Sequence, residues 1–217
     1  MNLRAVKFLA AIFGLAVGAA PSVGTVVTIA FSGELTSVAD GFTLSYPIEV
    51  GTPFSGLYSF DPDSASDAIP SDPRVGSYSF PSGYMAVEVG DNAFQSSGGI
   101  LVAVLNDIPG FNRDLYQATM GSLTSQGILW HAMGLDFESL DSGPFASDAL
   151  LTTAPDLNDF GFRRSFLGLE QGVRDPRFVG EVTWIAQVPE PGALALLGTG
   201  VLLCVQRNRG RARRALR

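Results

Sequence analysis

The sequence predicts an all-β fold, an antiparallel β-sandwich of jelly-roll type, flanked by an N-terminal signal peptide and a C-terminal membrane helix. Eight β-rich runs occur at roughly even spacing along the chain. Clusters of Gly, Pro, Asp, Asn and Ser separate these runs and are typical of turns. Between the two ends, no stretch sustains helical periodicity over three turns. Many short strands joined by turns favour two packed antiparallel sheets within one domain.

Residues 1–19 have the three parts of a secretory signal peptide. Arg4 and Lys7 form a basic start, Phe8–Gly18 is apolar and uncharged, and Ala19 is a small residue at the end of the run. We predict cleavage after Ala19. A retained N-terminal helix is the alternative, but the apolar run is shorter than a membrane span.

The central body, residues 20–187, is predicted to hold the strands. Along a strand, successive side chains point to opposite faces, so alternate apolar residues can fill a core. Predicted strands cover Thr25–Ser32, Phe54–Phe60, Val75–Phe80, Tyr84–Val89, Ile100–Leu105, Leu115–Met120, Ile128–Phe137 and Phe178–Val188. Turn signals such as Pro81-Ser82-Gly83 and Ser97-Gly98-Gly99 separate neighbouring strands.

The body is strongly acidic. It holds 20 acidic residues and six arginines, contains no lysine, and carries a net charge of −14. Such a surface repels nucleic acids and anionic lipids, which excludes binding by neutralisation of phosphates. It is compatible with divalent cations, with neutral sugars and with solubility outside the cell. The only cysteine, Cys204, lies beyond the body, so the body has no disulfide and no thiolate metal site.

Three carboxylates fall within one short loop of the body. Asp61, Asp63 and Asp67 are spaced by small residues, and Ca²⁺ prefers carboxylate oxygens. Ala65 and Ser66 depart from the EF-hand pattern, which places a ligand and a glycine at those positions. We name the three aspartates as calcium candidates, and a solvated acidic turn is the simpler interpretation. No other cofactor is predicted.

No catalytic site is predicted. His131 is the only histidine, and the chain has no Gly-x-Ser-x-Gly elbow, no Walker loop and no Gly-x-Gly-x-x-Gly fingerprint. Asp136 and Glu138 share one face of a predicted strand and form a possible carboxylate pair for glycoside hydrolysis. Ordinary solvent-facing acids have the same spacing. We therefore expect that the protein is not an enzyme.

Two tryptophans bear on ligand binding. Trp130 and Trp184, together with the tyrosines, are able to form a platform on which sugar rings stack. In strands of this composition, however, aromatic side chains are more typical of the core.

The last segment, residues 188–217, has three parts. Pro189, Glu190 and Pro191 form a rigid acidic turn, because proline fixes φ and lacks an N–H. Gly192–Val205 is an uncharged apolar run of 14 residues, which we predict to be a short transmembrane helix although a span normally needs about 20 residues. Six arginines follow in the last eleven residues and are typical of a cytoplasmic flank, which disfavours the alternative of a core helix.

This order of motif, apolar run and arginine tail resembles the PEP-CTERM sorting signal of Gram-negative bacteria. The resemblance implies export through the Sec translocon, removal of the signal peptide by signal peptidase, and processing by an exosortase, a membrane transpeptidase. In that reading Pro189, Glu190 and Pro191 are a substrate motif. The resemblance further implies a transient inner-membrane anchor and then a place at the cell surface or in the extracellular matrix.

Exosortases usually accompany exopolysaccharide production, so the resemblance implies a structural or adhesive role in an exopolysaccharide or biofilm setting. Two other functions stay open at this point. An extracellular carbohydrate-binding module would use exposed aromatic side chains, and an extracellular polysaccharide hydrolase would use a carboxylate pair.

Overall fold

The computed structural model describes residues 26–39, 46–107, 113–125, 128–139, 141, 143–169 and 178–189. The predicted signal peptide, and the sorting segment after Pro189 with its predicted membrane helix, lie outside these ranges. Within the described ranges, no helix is long and apolar enough to cross a membrane.

The fold is all-β, as predicted. Apart from two short 3-10 turns at Pro62–Ser64 and Leu157–Asp159, the regular elements of the described chain are strands. They are β1 (Val27–Val38), β2 (Pro53–Phe60), β3 (Ser66–Asp67), β4 (Val75–Val89), β5 (Asn92–Leu105), β6 (Leu115–Ser125), β7 (Ile128–Glu138), β8 (Phe162–Leu169) and β9 (Phe178–Gln187).

The predicted sandwich is wrong, because the sheet closes into a barrel of eight antiparallel strands. Neighbouring strands pair in the order β2-β1-β9-β8-β7-β6-β5-β4, and β4 pairs again with β2. The two-residue β3 lies beside the first half of β4. Local alternation predicts strands but not which distant strands pair. Pairing of the first strand with the last satisfies backbone groups that an open sheet would leave at its edges.

Several strands differ from the prediction in extent or number. Strands β1, β5 and β6 are longer than predicted. The predicted strands Val75–Phe80 and Tyr84–Val89 are one bent strand, β4, and Pro81 lies at a bulge where β4 leaves β3 and begins to pair with β2. The hydrogen-bond ladder is already interrupted at this bulge, so the missing N–H of Pro81 breaks no further ladder bond. Strand β8 was not predicted, because the adjacent Arg163 and Arg164 break the polar–apolar alternation.

Aromatic side chains fill the barrel. Inward positions carry most of the core, and the largest fully buried side chains include Tyr58, Tyr116, Phe31, Phe60, Phe80, Phe94, Phe137 and Phe178. Between Leu35, Phe54 and Met133 a void of about 10 Å³ remains, roughly the space that one water molecule needs. The described interior is therefore a packed core, and functional surfaces are to be sought on the outside and at the ends of the barrel.

Candidate functional site

The chain leaves the barrel directly at the predicted sorting motif. Strand β9 stays paired with β1 through Gln187, which lies opposite Ile29. The backbone N–H of Val188 then donates a hydrogen bond of 2.8 Å to the carbonyl oxygen of Thr28. Pro189 follows and is exposed. No linker separates the barrel from the motif.

Proline accounts for the end of the strand. Pro189 has no N–H to donate, so it cannot extend the ladder with β1. Pro189 is the only residue of the predicted substrate motif within the described chain, because Glu190 and Pro191 lie outside it.

The outer face of β9 carries an exposed aromatic residue close to this exit. Trp184 lies opposite Ser32, and Ala186 lies opposite Ala30. The side chain of Trp184 is 44% exposed, so the expectation that such aromatics belong to the core does not hold for this residue. The side chain of Trp130 lies outside the described part of the structure.

The neighbouring surface across β1 and β2 is made of small or aliphatic side chains. Ala30 lies opposite Leu57, and Leu57 lies opposite Ala86 on β4. Ala30 and Leu57 are buried, yet neither belongs to the core cluster, whereas Ile29 and Tyr58 next to them in sequence do. Alternation therefore places Ala30 and Leu57 on the outer wall of the barrel.

Two of the three calcium candidates, Asp61 and Asp67, accept backbone hydrogen bonds with their carboxylates. The carboxylate of Asp61 accepts from the N–H of Asp63 at 3.0 Å, which caps the 3-10 turn. The carboxylate of Asp67 accepts from the N–H groups of Ile69 and Ser77. Over the residues that the structure describes, no three His, Cys, Asp or Glu side chains are grouped so as to hold a metal ion.

The carboxylate pair considered for hydrolysis is ion-paired. Asp136 bonds to the guanidinium of Arg164, and Glu138 bonds to the guanidinium of Arg113. Each acid thus has a cationic partner on the barrel wall. His131 lies on β7, and its side chain is outside the described part of the structure.

Sequence reasoning did not identify the surface beside the exit. Ala30, Ser32 and Leu57 have no chemistry that singles them out in the sequence. They matter because β1 pairs with β9 across a sequence separation of about 150 residues, which no local pattern indicates.

Comparison with known proteins identifies the C-terminal segment. Residues 187–214 match the family model described as the PEP-CTERM protein-sorting motif. The match begins at Gln187, the last residue of β9, so it overlaps the end of the barrel. No curated protein and no solved structure matches the chain.

Proposed function

We propose that this protein, an exported chain whose PEP-CTERM motif marks it for an exosortase, is a non-enzymatic component of the cell surface or extracellular matrix. The match over residues 187–214 is the observation that carries the proposal, because it implies export, surface sorting and processing by an exosortase. In the finer proposal the host is a Gram-negative-type bacterium and the matrix is an exopolysaccharide or biofilm. Export uses the Sec translocon and signal peptidase, and removes residues 1–19.

The sequence around the motif supports a staged route. The apolar run that follows Pro191 keeps the precursor at the inner membrane, and the arginine tail stays in the cytoplasm. Processing at or near Pro189–Pro191 then frees the body. Val188, the residue before the motif, is still hydrogen-bonded to β1, so processing after it leaves the barrel complete.

The acidic, packed barrel fits a matrix role. A net charge of −14 keeps the body soluble outside the cell and away from nucleic acids. A core of aromatic side chains without disulfides folds without an oxidant. These properties suit a stable domain displayed in quantity, and they support a structural or adhesive role.

Carbohydrate binding is the second candidate, favoured by the exposure of Trp184. An indole on a strand surface beside serines offers a stacking plane and hydrogen-bonding groups to a neutral sugar ring. A glycan array probed with the body alone tests it. Binding that is lost in Trp184→Ala supports a binding module, and an array without signal argues against it.

The sorting proposal is tested with Glu190→Ala in a host that has an exosortase. We expect the wild-type precursor to be processed and the body to leave the inner membrane fraction. The Glu190→Ala precursor should keep its tail and stay in that fraction. Glu88→Ala makes the same change at an exposed position of β4, away from the motif, and serves as the matched control. Normal processing of Glu190→Ala would contradict the proposal.

A further inference from the structure

The absence of a linker before the motif means that any enzyme acting there meets the barrel. Proteases and transpeptidases bind their substrates as extended chains over several residues. On the N-terminal side of Pro189, those residues are Gln187 and Val188, and both are held against β1. An enzyme seated at Pro189 therefore lies within a few ångström of the outer surface of β9 and β1.

That surface carries no charged side chain, whereas the body as a whole is strongly acidic. We call it the exit face. Its accessible side chains are Ser32, Trp184 and Ala186, and the buried Ala30 and Leu57 adjoin them in the pairing of β1 with β9 and β2. All five side chains are uncharged although the body carries −14. Trp184, Ser32, Ala186 and Ala30 occupy consecutive outward positions of the paired strands that lead to the motif.

The exit face has a charged border on the side away from the motif. Glu34 and Glu181 lie opposite each other on β1 and β9, just past the bulge that follows Ser32. Both side chains are exposed. The uncharged surface therefore extends from this acidic border to the exit of the chain, continuous with the motif.

We propose that the exit face is a contact surface for the exosortase, with the ring of Trp184 as its anchor. Exposed Trp is strongly enriched among residues that carry binding energy at protein interfaces, and small neighbours allow a partner to approach the ring closely. The inference rests on the proposed function. It adds that the enzyme recognises the folded barrel as well as the motif, which selects precursors whose first and last strands have paired.

The test measures the rate at which the full-length precursor is processed in cells that contain the exosortase. Trp184→Ala should slow processing roughly tenfold, the usual effect of removing a central aromatic anchor. Leu101→Ala is the matched control. Its side chain is 37% exposed on β5, four strands from β9 in either direction around the barrel, and the variant should be processed at the wild-type rate.

A second pair of variants guards against a folding defect in Trp184→Ala. Ser32→Glu places a negative charge beside Trp184 and should slow processing. Ser79→Glu adds the same charge at an exposed position of β4 opposite Leu101 and should not. The melting temperature of each purified body verifies that the barrel is intact.

A flexible insertion between Val188 and Pro189 distinguishes binding of the enzyme to the exit face from steric obstruction of the motif by the barrel. If the exit face binds the enzyme, eight Gly and Ser residues at this point should slow processing, because motif and face no longer engage together. Faster processing would mean that the barrel only obstructs the motif and would overturn the inference. An unchanged processing rate in the insertion variant, in Trp184→Ala and in Ser32→Glu would also overturn the inference. Glu190→Ala is run alongside, and its normal processing would instead refute the proposed function itself.

Discussion

The hydroxyl oxygens of Tyr58 and Tyr116 lie 2.6 Å apart inside the barrel and form a hydrogen bond. Both residues are fully buried among phenylalanine rings, and Tyr58 packs 6.4 Å from Phe31 and 6.3 Å from Phe60, between ring centroids. Strands β2 and β6 are not neighbours in the sheet, so this bond crosses the interior between two non-adjacent strands. Each hydroxyl is the hydrogen-bond partner of the other, and the surrounding phenylalanine rings offer no polar group in its place.

Tyr116→Phe should destabilise the body by about 1–3 kcal/mol, because it leaves the hydroxyl of Tyr58 buried without its partner. Urea unfolding of the wild type, both single variants and the double variant measures the coupling. We expect Tyr58→Phe with Tyr116→Phe to cost less than the sum of the single changes. Additive losses would mean that the two hydroxyls do not depend on each other.

Alkaline pH should weaken the barrel through the same pair. Burial raises the pKa of Tyr58 well above its usual value, and burial likewise raises the pKa of Tyr116. In the unfolded chain both phenols ionise near pH 10, so above that pH the unfolded state binds fewer protons than the folded state. Stability is therefore constant with respect to these groups below about pH 10 and falls as the pH rises further.

The unfolding free energy measured between pH 9 and pH 11 tests this slope. The variant with phenylalanine at both positions should lose less stability over the interval than the wild type. The other three tyrosines, Tyr46, Tyr78 and Tyr84, are present in both proteins and contribute equally to the two slopes. Equal slopes in the two proteins would contradict the assignment.

Gly33→Ala should destabilise the body by about 1–3 kcal/mol, the usual cost of overpacking a tight site. A Cβ at Gly33 would lie 1.8 Å from the carbonyl oxygen of Glu181 and 2.7 Å from the ring of Phe54. Gly99→Ala is the control, since its Cβ would meet only the carbonyl oxygen of Phe80 at 3.6 Å. Melting temperatures give the comparison. The closer clash, with Glu181, exists only if β1 pairs with β9, so equal stability of both variants would contradict that pairing.

Calcium should raise the melting temperature of the wild type and of Asp63→Ala by the same amount. Asp61 and Asp67 already accept backbone N–H groups, so we expect calcium only to screen the acidic surface. Sodium at matched ionic strength is the control. A specific site would instead saturate between about 10⁻⁴ and 10⁻³ M and disappear in Asp63→Ala.

How far the sequence predicts this fold depends on the range of each interaction. Seven of the nine described strands overlap predicted ones, because alternation of side chains is a local property. Closure depends instead on pairs such as Ile29 with Gln187, which lie at the two ends of the body. The bulge at Gly98, where φ is +148°, was predicted as a turn because glycine serves both structures.

The sorting motif was predicted because its signal is contiguous in the chain. Proline, charge and apolarity follow each other over 30 residues, and no tertiary contact is needed to recognise them. Trp184 illustrates the opposite case. Its neighbours alternate in a way that suits the core, and only the bulge between Ser32 and Gly33, together with the pairing to β1, places its ring outside.

The C-terminus of the mature protein tests the central claim most directly. Intact mass spectrometry of the body released by cells with an exosortase, compared with cells that lack it, locates the end of the chain. We predict a mass that corresponds to a chain ending at or near Pro189–Pro191, and loss of this species when the exosortase is absent. A protein that keeps its arginine tail in both strains, or loses it equally in both, would contradict sorting by the motif.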